Sequence, residues 1–349
     1  MDFALKKEHV MARELFRKFA ETEVKPLAQE IDEQERFPRE TVDKLAKYGF
    51  MGIPFPREVG GQGCDTLTYV MCVEELSRVC GTTGVILSAH TSLAANPIKQ
   101  FGTPAQQEKY LAPLCRGEKL GAFGLTEPGA GTDASGQQTR AEKQGDHYVL
   151  NGSKIFITNG GQADVYIIFA MTDKSKGTKG ISAFIVEKGF PGFSIGTKEK
   201  KMGIRGSSTT ELIFENCVVP AENLLGQEGK GFGIAMQTLD GGRIGIAAQA
   251  LGLAQGAFDE TVKYVKERKQ FGRPIMKFQN TQFTLADLKT QIEAARLLVY
   301  RAAYAKDTQK RFSAEAAMAK LFAAETAMNV TTKCVQLFGG YHRILQVIP

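Results

Sequence analysis

Tryptophan is absent from this chain, so any aromatic stacking surface must come from its 22 Phe and 9 Tyr. Histidine is scarce: His9, His90, His147 and His342 stand apart from one another, offer no metal-ligand spacing and leave no metal site to assign. The six cysteines (Cys64, Cys72, Cys80, Cys115, Cys217, Cys334) include no C-x-x-C pair. Cys72 and Cys80 could share a helix, but about 12 Å along it is too far for a disulfide, so reduced and mostly buried thiols are expected. No apolar run approaches the roughly 20 residues that cross a bilayer, which argues against membrane insertion. Met1 to Glu8 is too charged for a signal peptide and too poor in Arg and Ser for a transit peptide, so a cytoplasmic setting is expected. Internal repeats and low-complexity linkers are also missing. The formal charge is +6, yet the densest basic segments, 173–179 and 198–201, lack aromatics and each contains an acid. They read as solvated loops, with no nucleic-acid partner expected, and the mild positive field suits an anionic small substrate.

What is present is enough chain, 349 residues, to bury a large core in two or three structural units. From Lys6 to about Leu114 the pattern is helical. Met11, Leu15, Phe16 and Phe19 are spaced to share one face of a first helix. Pro38 opens a second that Gly49 closes, Leu67 to Val79 mark a third, and Thr103-Pro104-Ala105-Gln106 combines an N-cap, a Pro at the first helical position and a capping-box Gln. Near Gly117 the period changes. His147 to Leu150, Val165 to Met171, Ile181 to Val186 and Glu211 to Phe214 are short Ile-, Val-, Phe- and Tyr-rich runs, as expected of an antiparallel sheet. After Gly231 helical spacing returns in long Ala-rich stretches, roughly 233–268, 280–306 and 314–338. The expected class is therefore α+β: an N-terminal helical domain (1–117), a middle antiparallel β domain (118–225) and a C-terminal helical bundle (226–349).

Two segments carry the chemistry. Leu125-Thr126-Glu127-Pro128-Gly129-Ala130-Gly131-Thr132-Asp133 follows a strand-like run and makes a turn whose backbone N–H groups can face a ligand. In Lys154-Ile155-Phe156-Ile157-Thr158-Asn159-Gly160, Ile155 and Ile157 alternate with Phe156 and Thr158, which predicts one buried face and one showing a ring beside a hydroxyl. Taken alone, the first is as readily a surface β-turn.

Together they resemble the flavin-contacting signatures of the acyl-CoA dehydrogenase family. The resemblance continues, in order, through Lys201 to Ser208, Thr238-Leu239-Asp240-Gly241-Gly242-Arg243-Ile244-Gly245, Glu267 to Gly272 and Gln336-Leu337-Phe338-Gly339-Gly340. It is nearest to the bacterial short-chain, butyryl-CoA branch. It implies FAD as cofactor, held by Phe123, Leu125, Thr126, Gly129, Gly131, Thr132, Phe156, Ile157 and Thr158, with Thr158 donating toward N5. Many relatives carry Trp at the Phe156 position. Arg268, Phe271, Gln279, Gln336, Leu337, Gly339 and Gly340 would reach the FAD of a neighbouring subunit, which implies a homo-oligomer, a dimer of dimers. On its own, Arg268 reads as a cation at a helix C-terminus. Thr132, Asp240, Gly241, Gly242 and Arg243 would bind the acyl-CoA, although Asp240 and Arg243 alone read as a surface i,i+3 pair. Electrons would be exchanged with an electron-transferring flavoprotein.

The resemblance implies no catalytic residue in this chain. The family's base is a Glu within an Ile-Tyr-Glu-Gly-Thr-like segment downstream of Gly339-Gly340, and Tyr341 to Pro349 does not look like that continuation. Some branches place the base at the position of Gly242, and glycine cannot abstract a proton. Glu127 is read as structural or flavin-side. The expectation is a C-terminus truncated or frameshifted relative to the family, with the bundle incomplete. The alternative is a catalytically impaired flavin- and acyl-CoA-binding protein.

Overall fold

The computed structural model describes residues 4–340. By its internal packing the chain divides into two compact units. Among the described residues one draws on 4–34, 65–85 and 243–340, the other on 35–64 and 86–242.

The second unit is organised by a sheet of eight strands among the described residues. In chain order these are β1 (Gly121–Gly124), β2 (Arg140–Gln144), β3 (His147–Thr158), β4 (Val165–Met171), β5 (Ile181–Glu187), β6 (Phe193–Lys198), β7 (Thr209–Pro220) and β8 (Leu224–Leu225). The spatial order is β6-β7-β3-β2-β4-β5-β8, with β1 beside β4. Most pairs are antiparallel, as the sequence suggests, but β1 runs parallel to β4 and β2 meets β4 in parallel at Arg140 and Met171. Asp164 explains the first of these: its carboxylate accepts the Leu120 N–H at 2.9 Å, so the two strands start side by side. β4 is buried on both faces. Val165, Ile167 and Phe169 join a cluster with Ile98, Tyr110 and Leu114, while Tyr166, Ile168 and Ala170 pack with Leu150, Leu212 and Phe214. That is why it reads as an unbroken apolar run.

In the first unit the helices Lys7–Phe19, Thr66–Ser77, Gln279–Thr308 and Ser313–Phe338 accompany the greater part of the 37-residue helix Gly231–Glu267. Gly252 and Gly256 let that long helix approach Thr66–Ser77. A Cβ on Gly252 would lie 2.4 Å from the Glu74 carbonyl, and one on Gly256 2.0 Å from that of Arg78. Glu74 and Glu75 are buried against arginines: Arg296 Nε donates to Glu74 at 3.1 Å and Arg13 Nε to Glu75 at 2.9 Å, while the Tyr300 hydroxyl donates to Glu74 at 2.8 Å. The face of the first helix differs from the expected one. Phe16 and Phe19 are buried with His9, whereas Met11 is 60% and Leu15 46% exposed. His9 also loses its isolation, its Nε2 lying 2.8 Å from Asp65.

The capping box at Thr103 and Gln106 forms, and Gly49 takes a left-handed φ of 74° after Arg39–Lys47. Three turns of wider π type, Ala20–Val24, Ala89–Ala95 and Gln107–Leu111, had no counterpart in the sequence pattern. All six cysteines are free, and only Cys64 is exposed. No described helix is long and apolar enough to cross a membrane. The expected incomplete end of the bundle, Tyr341 to Pro349, lies outside the described residues.

Candidate functional site

β1 delivers the chain into the glycine turn. Phe123 is half-buried and packs on Phe169, with ring centroids 5.1 Å apart, and Leu125 is buried. Glu127 and Ala130 then exchange backbone hydrogen bonds of 3.1 and 3.0 Å, pinching the loop. Thr126 is half-buried, while Gly129, Gly131 and Thr132 stand exposed. Among the described residues, the N–H groups of these last three have no backbone acceptor within the protein. Neither glycine has a positive φ, and a Cβ on either would meet no atom within 4 Å. Nothing inside the protein demands glycine there. The free room and free donors lie on the ligand side, which fits an anionic, closely approaching cofactor.

The second segment departs from simple alternation. A bulge interrupts the β3–β7 register between Lys154 and Ile157. Within it Phe156 adopts φ 60° and stands 59% exposed. Ile157 and Lys154 are buried, and Ile155 and Thr158 are half-buried. Two isoleucines on one buried face is thus corrected to one isoleucine and a lysine, because the bulge shifts the phase of the strand by one residue. The Ile155 N–H donates to the Thr126 carbonyl at 2.9 Å, so Phe156 emerges beside the turn. An exposed aromatic held in a left-handed backbone makes Phe156 a candidate contact for a ligand. A flat heteroaromatic ring fits it, and the donor-rich turn alongside fits the phosphate end of a dinucleotide.

Glu127 is not poised as a base. Its carboxylate takes the N–H groups of Gln138 at 2.5 Å and Thr139 at 3.0 Å and the ammonium of Lys154 at 2.7 Å. Burial alone would raise its pKa, but the Lys154 charge and these hydrogen bonds outweigh that and hold it below the usual range. Sequence reasoning gave Lys154 no role. A lysine in a strand reads as solvent-facing, and its place opposite Leu212 on a buried strand pair emerges only from the folded register.

In the other unit the remaining residues gather at one end. Arg268, half-buried, follows the long helix and its N–H donates to the Tyr264 carbonyl at 2.8 Å. Tyr264 stacks on Phe338 with centroids 4.4 Å apart, bringing Gln336, Leu337, Gly339 and Gly340 to the same end. Lys269–Gln270 and Arg273–Pro274 form a hairpin whose tip is Phe271-Gly272, both with positive φ. Phe271 is 92% exposed and lies edge-on to Phe278, 6.1 Å away, next to exposed Gln279.

Asp240, Gly241, Gly242 and Arg243 fall within the long helix; Gly241 is buried, and the other three are half-buried. A Cβ on Gly242 would lie 2.6 Å from Leu93 Cδ2, on the π turn Ala89–Ala95. Leu93 therefore already fills the space in which a side chain at 242 would begin.

Sequence models of three domains match in order: the acyl-CoA dehydrogenase N-terminal domain over 6–118, its middle domain over 122–217 and its C-terminal domain over 229–342. The chain is 65% identical over 341 residues to a short-chain-specific acyl-CoA dehydrogenase of Clostridium acetobutylicum, covering 98% of this chain and 90% of that protein. It is 53% identical to an acryloyl-CoA reductase (NADH) of Anaerotignum propionicum, covering 98% and 87%. Among solved structures, butyryl-CoA dehydrogenase from Megasphaera elsdenii superposes with a TM-score of 0.96 at 56% identity, covering 98% and 90%. A structure described under an electron transferring flavoprotein of Acidaminococcus fermentans gives 0.97 at 59%, with the same coverage.

Fold and relatives define a class, the FAD-dependent flavoprotein oxidoreductases. Within it, the chain belongs to the acyl-CoA dehydrogenase family. Matches running over 98% of the chain supply no evidence for the expected truncation, and they give no support to the catalytically impaired alternative.

Proposed function

We propose that the chain is a short-chain acyl-CoA dehydrogenase acting on the butyryl-CoA and crotonyl-CoA couple, in exchange with an electron-transferring flavoprotein, in the cytoplasm. The observation that carries this reading is the Phe156 bulge standing beside the open Gly129–Thr132 turn. When bound, FAD supplies the hydride acceptor. Phe156 would offer its exposed ring to the flavin, and Phe123, Leu125 and Ile157 would complete the contacts to it. The N–H groups of Gly129, Gly131 and Thr132 and the Thr126 hydroxyl hold the cofactor, and Thr158 donates at the edge where negative charge collects on reduction. Thr132, Asp240, Gly241, Gly242 and Arg243 engage the coenzyme A portion.

Arg268, Phe271, Gln279, Gln336, Leu337, Gly339 and Gly340 reach the FAD of a second copy, making the oligomer, a dimer of dimers, part of the site. In support, Phe283, Tyr304, Leu321 and Met328 expose apolar surface on the two last long helices. Neither Glu127, tied to Lys154, nor Gly242, covered by Leu93, serves as the proton acceptor in this reading, and the dehydrogenation requires a base for the α-proton that is not among the site residues assigned above. The relatives include both a dehydrogenase and a reductase, so they favour neither direction of the couple. A substrate series of four-, eight- and sixteen-carbon acyl-CoAs tests the reading: kcat/KM is expected to be highest for the four-carbon thioester, and a maximum at eight or more overturns the short-chain assignment.

A further inference from the structure

Beneath the glycine turn lies a charge that the reaction does not use. Lys154 is fully buried, and its Nζ donates to the Leu125 carbonyl at 3.2 Å, Glu127 Oε1 at 2.7 Å and Gln137 Oε1 at 3.1 Å. Leu125 and Glu127 open the turn and Gln137 closes it. Glu127 extends the tie by accepting the N–H groups of Gln138 and Thr139, at the threshold of β2. On the other side, Lys154 is followed by Ile155, whose N–H holds the Thr126 carbonyl, and then by the Phe156 bulge. A single ammonium thus sits where both ends of the cofactor turn meet the bulged strand. Burying it is costly, and a hydrophobic side chain would pack as well against Leu212, its cross-strand partner.

We propose that Lys154 is a positioning residue for the cofactor site: it holds the turn in the open form that leaves the N–H groups of Gly129, Gly131 and Thr132 to the cofactor, and it fixes that turn against Phe156. The inference rests on the FAD reading above. Burial lowers the Lys154 pKa to about 8, with Glu127 the one charged group opposing the shift. The other surroundings are apolar or neutral: Leu212 opposite, Ile168 and Leu212 around neighbouring Gly124, and Gln137. Below about pH 8 the tie is intact. As pH rises through that value the ammonium loses its proton, Glu127 loses its counter-charge, and the turn loosens.

The test is an FAD titration of apoprotein, followed by flavin fluorescence from pH 6.5 to 9.5, on the wild type, Lys154→Met, Glu127→Gln and the double variant, with the melting temperature of each. The wild-type Kd should rise between about pH 8 and 9. Glu127→Gln should move that rise to lower pH, because the charge that holds the proton on Lys154 is gone. Lys154→Met strands a buried carboxylate and is expected to fold less well. The double variant removes both charges, and it should melt close to the wild type while binding FAD about tenfold or more weakly at pH 7, with no rise at higher pH. A folded double variant with wild-type affinity, or a wild-type profile flat through pH 8 to 9, overturns the inference. A wild type that binds no FAD at any pH removes the functional reading and the inference together, whereas tight binding insensitive to Lys154 removes the inference alone.

Discussion

At the scale of single residues, two side chains hold states that solution measurements can read. Phe156 keeps a left-handed backbone that glycine would adopt at no cost. Phe156→Gly should therefore leave the fold as stable or add about 1 kcal/mol, yet weaken FAD binding about tenfold or more, because the exposed ring packs on no core. Parallel loss of stability and binding would contradict that separation. His90 is buried and neutral, its Nδ1 accepting the Gly121 N–H at 3.1 Å and its Nε2 facing the Leu114 carbonyl at 3.2 Å. Burial pushes its pKa down to about 4, against 6.5 when unfolded. The unfolded chain then binds the extra proton between those values, so this contribution is complete above pH 6.5 and is lost as pH falls toward 4. His90→Asn should lower stability at pH 7 but flatten the slope of melting temperature between pH 6.5 and 4; an unchanged slope would exclude His90 as the source. The turn and Phe156 were legible because their residue types form a recognisable pair of segments. Lys154 was not, since a strand-borne lysine and a one-residue bulge both defeat a period-two reading.

At the scale of elements, the long helices were legible to within about two residues, because Ala-rich stretches with sustained helical spacing leave little choice. The close approach of the Gly231–Glu267 helix to Thr66–Ser77 was not, because the glycines that permit it look like helix-weakening residues. Two substitutions separate the causes. Gly233→Ala, where a Cβ meets nothing within 4 Å, should stabilise the protein by roughly 0.5–1 kcal/mol through helix propensity. Gly256→Ala, whose Cβ would meet the Arg78 carbonyl at 2.0 Å, should destabilise it by about 2 kcal/mol or more despite the same propensity gain. Urea midpoints check both, and a stabilising Gly256→Ala would show that the contact relaxes freely. The π turn Ala89–Ala95 had no sequence signature, yet it carries both His90 and Leu93.

At the scale of the whole molecule, the order helix, sheet, helix was readable from the changes of hydrophobic period, and the family from six ordered motifs. The packing of 4–34 and 65–85 with 243–340 was not, because contacts distant in sequence leave no local periodicity. If Arg268, Phe271, Gln279 and Gln336 to Gly340 serve a neighbour's cofactor, FAD retention must follow assembly. Sedimentation should show flavin only in oligomers, and Phe271→Ala should weaken FAD binding in an oligomer that still forms. A monomer that keeps its flavin would rule this out. The most direct test of the account is an anaerobic visible spectrum of the purified protein with added FAD, before and after butyryl-CoA. The account predicts a flavin band that stays with the protein and bleaches as the thioester is added. A protein that retains no flavin, or whose retained flavin is untouched by butyryl-CoA, would contradict it.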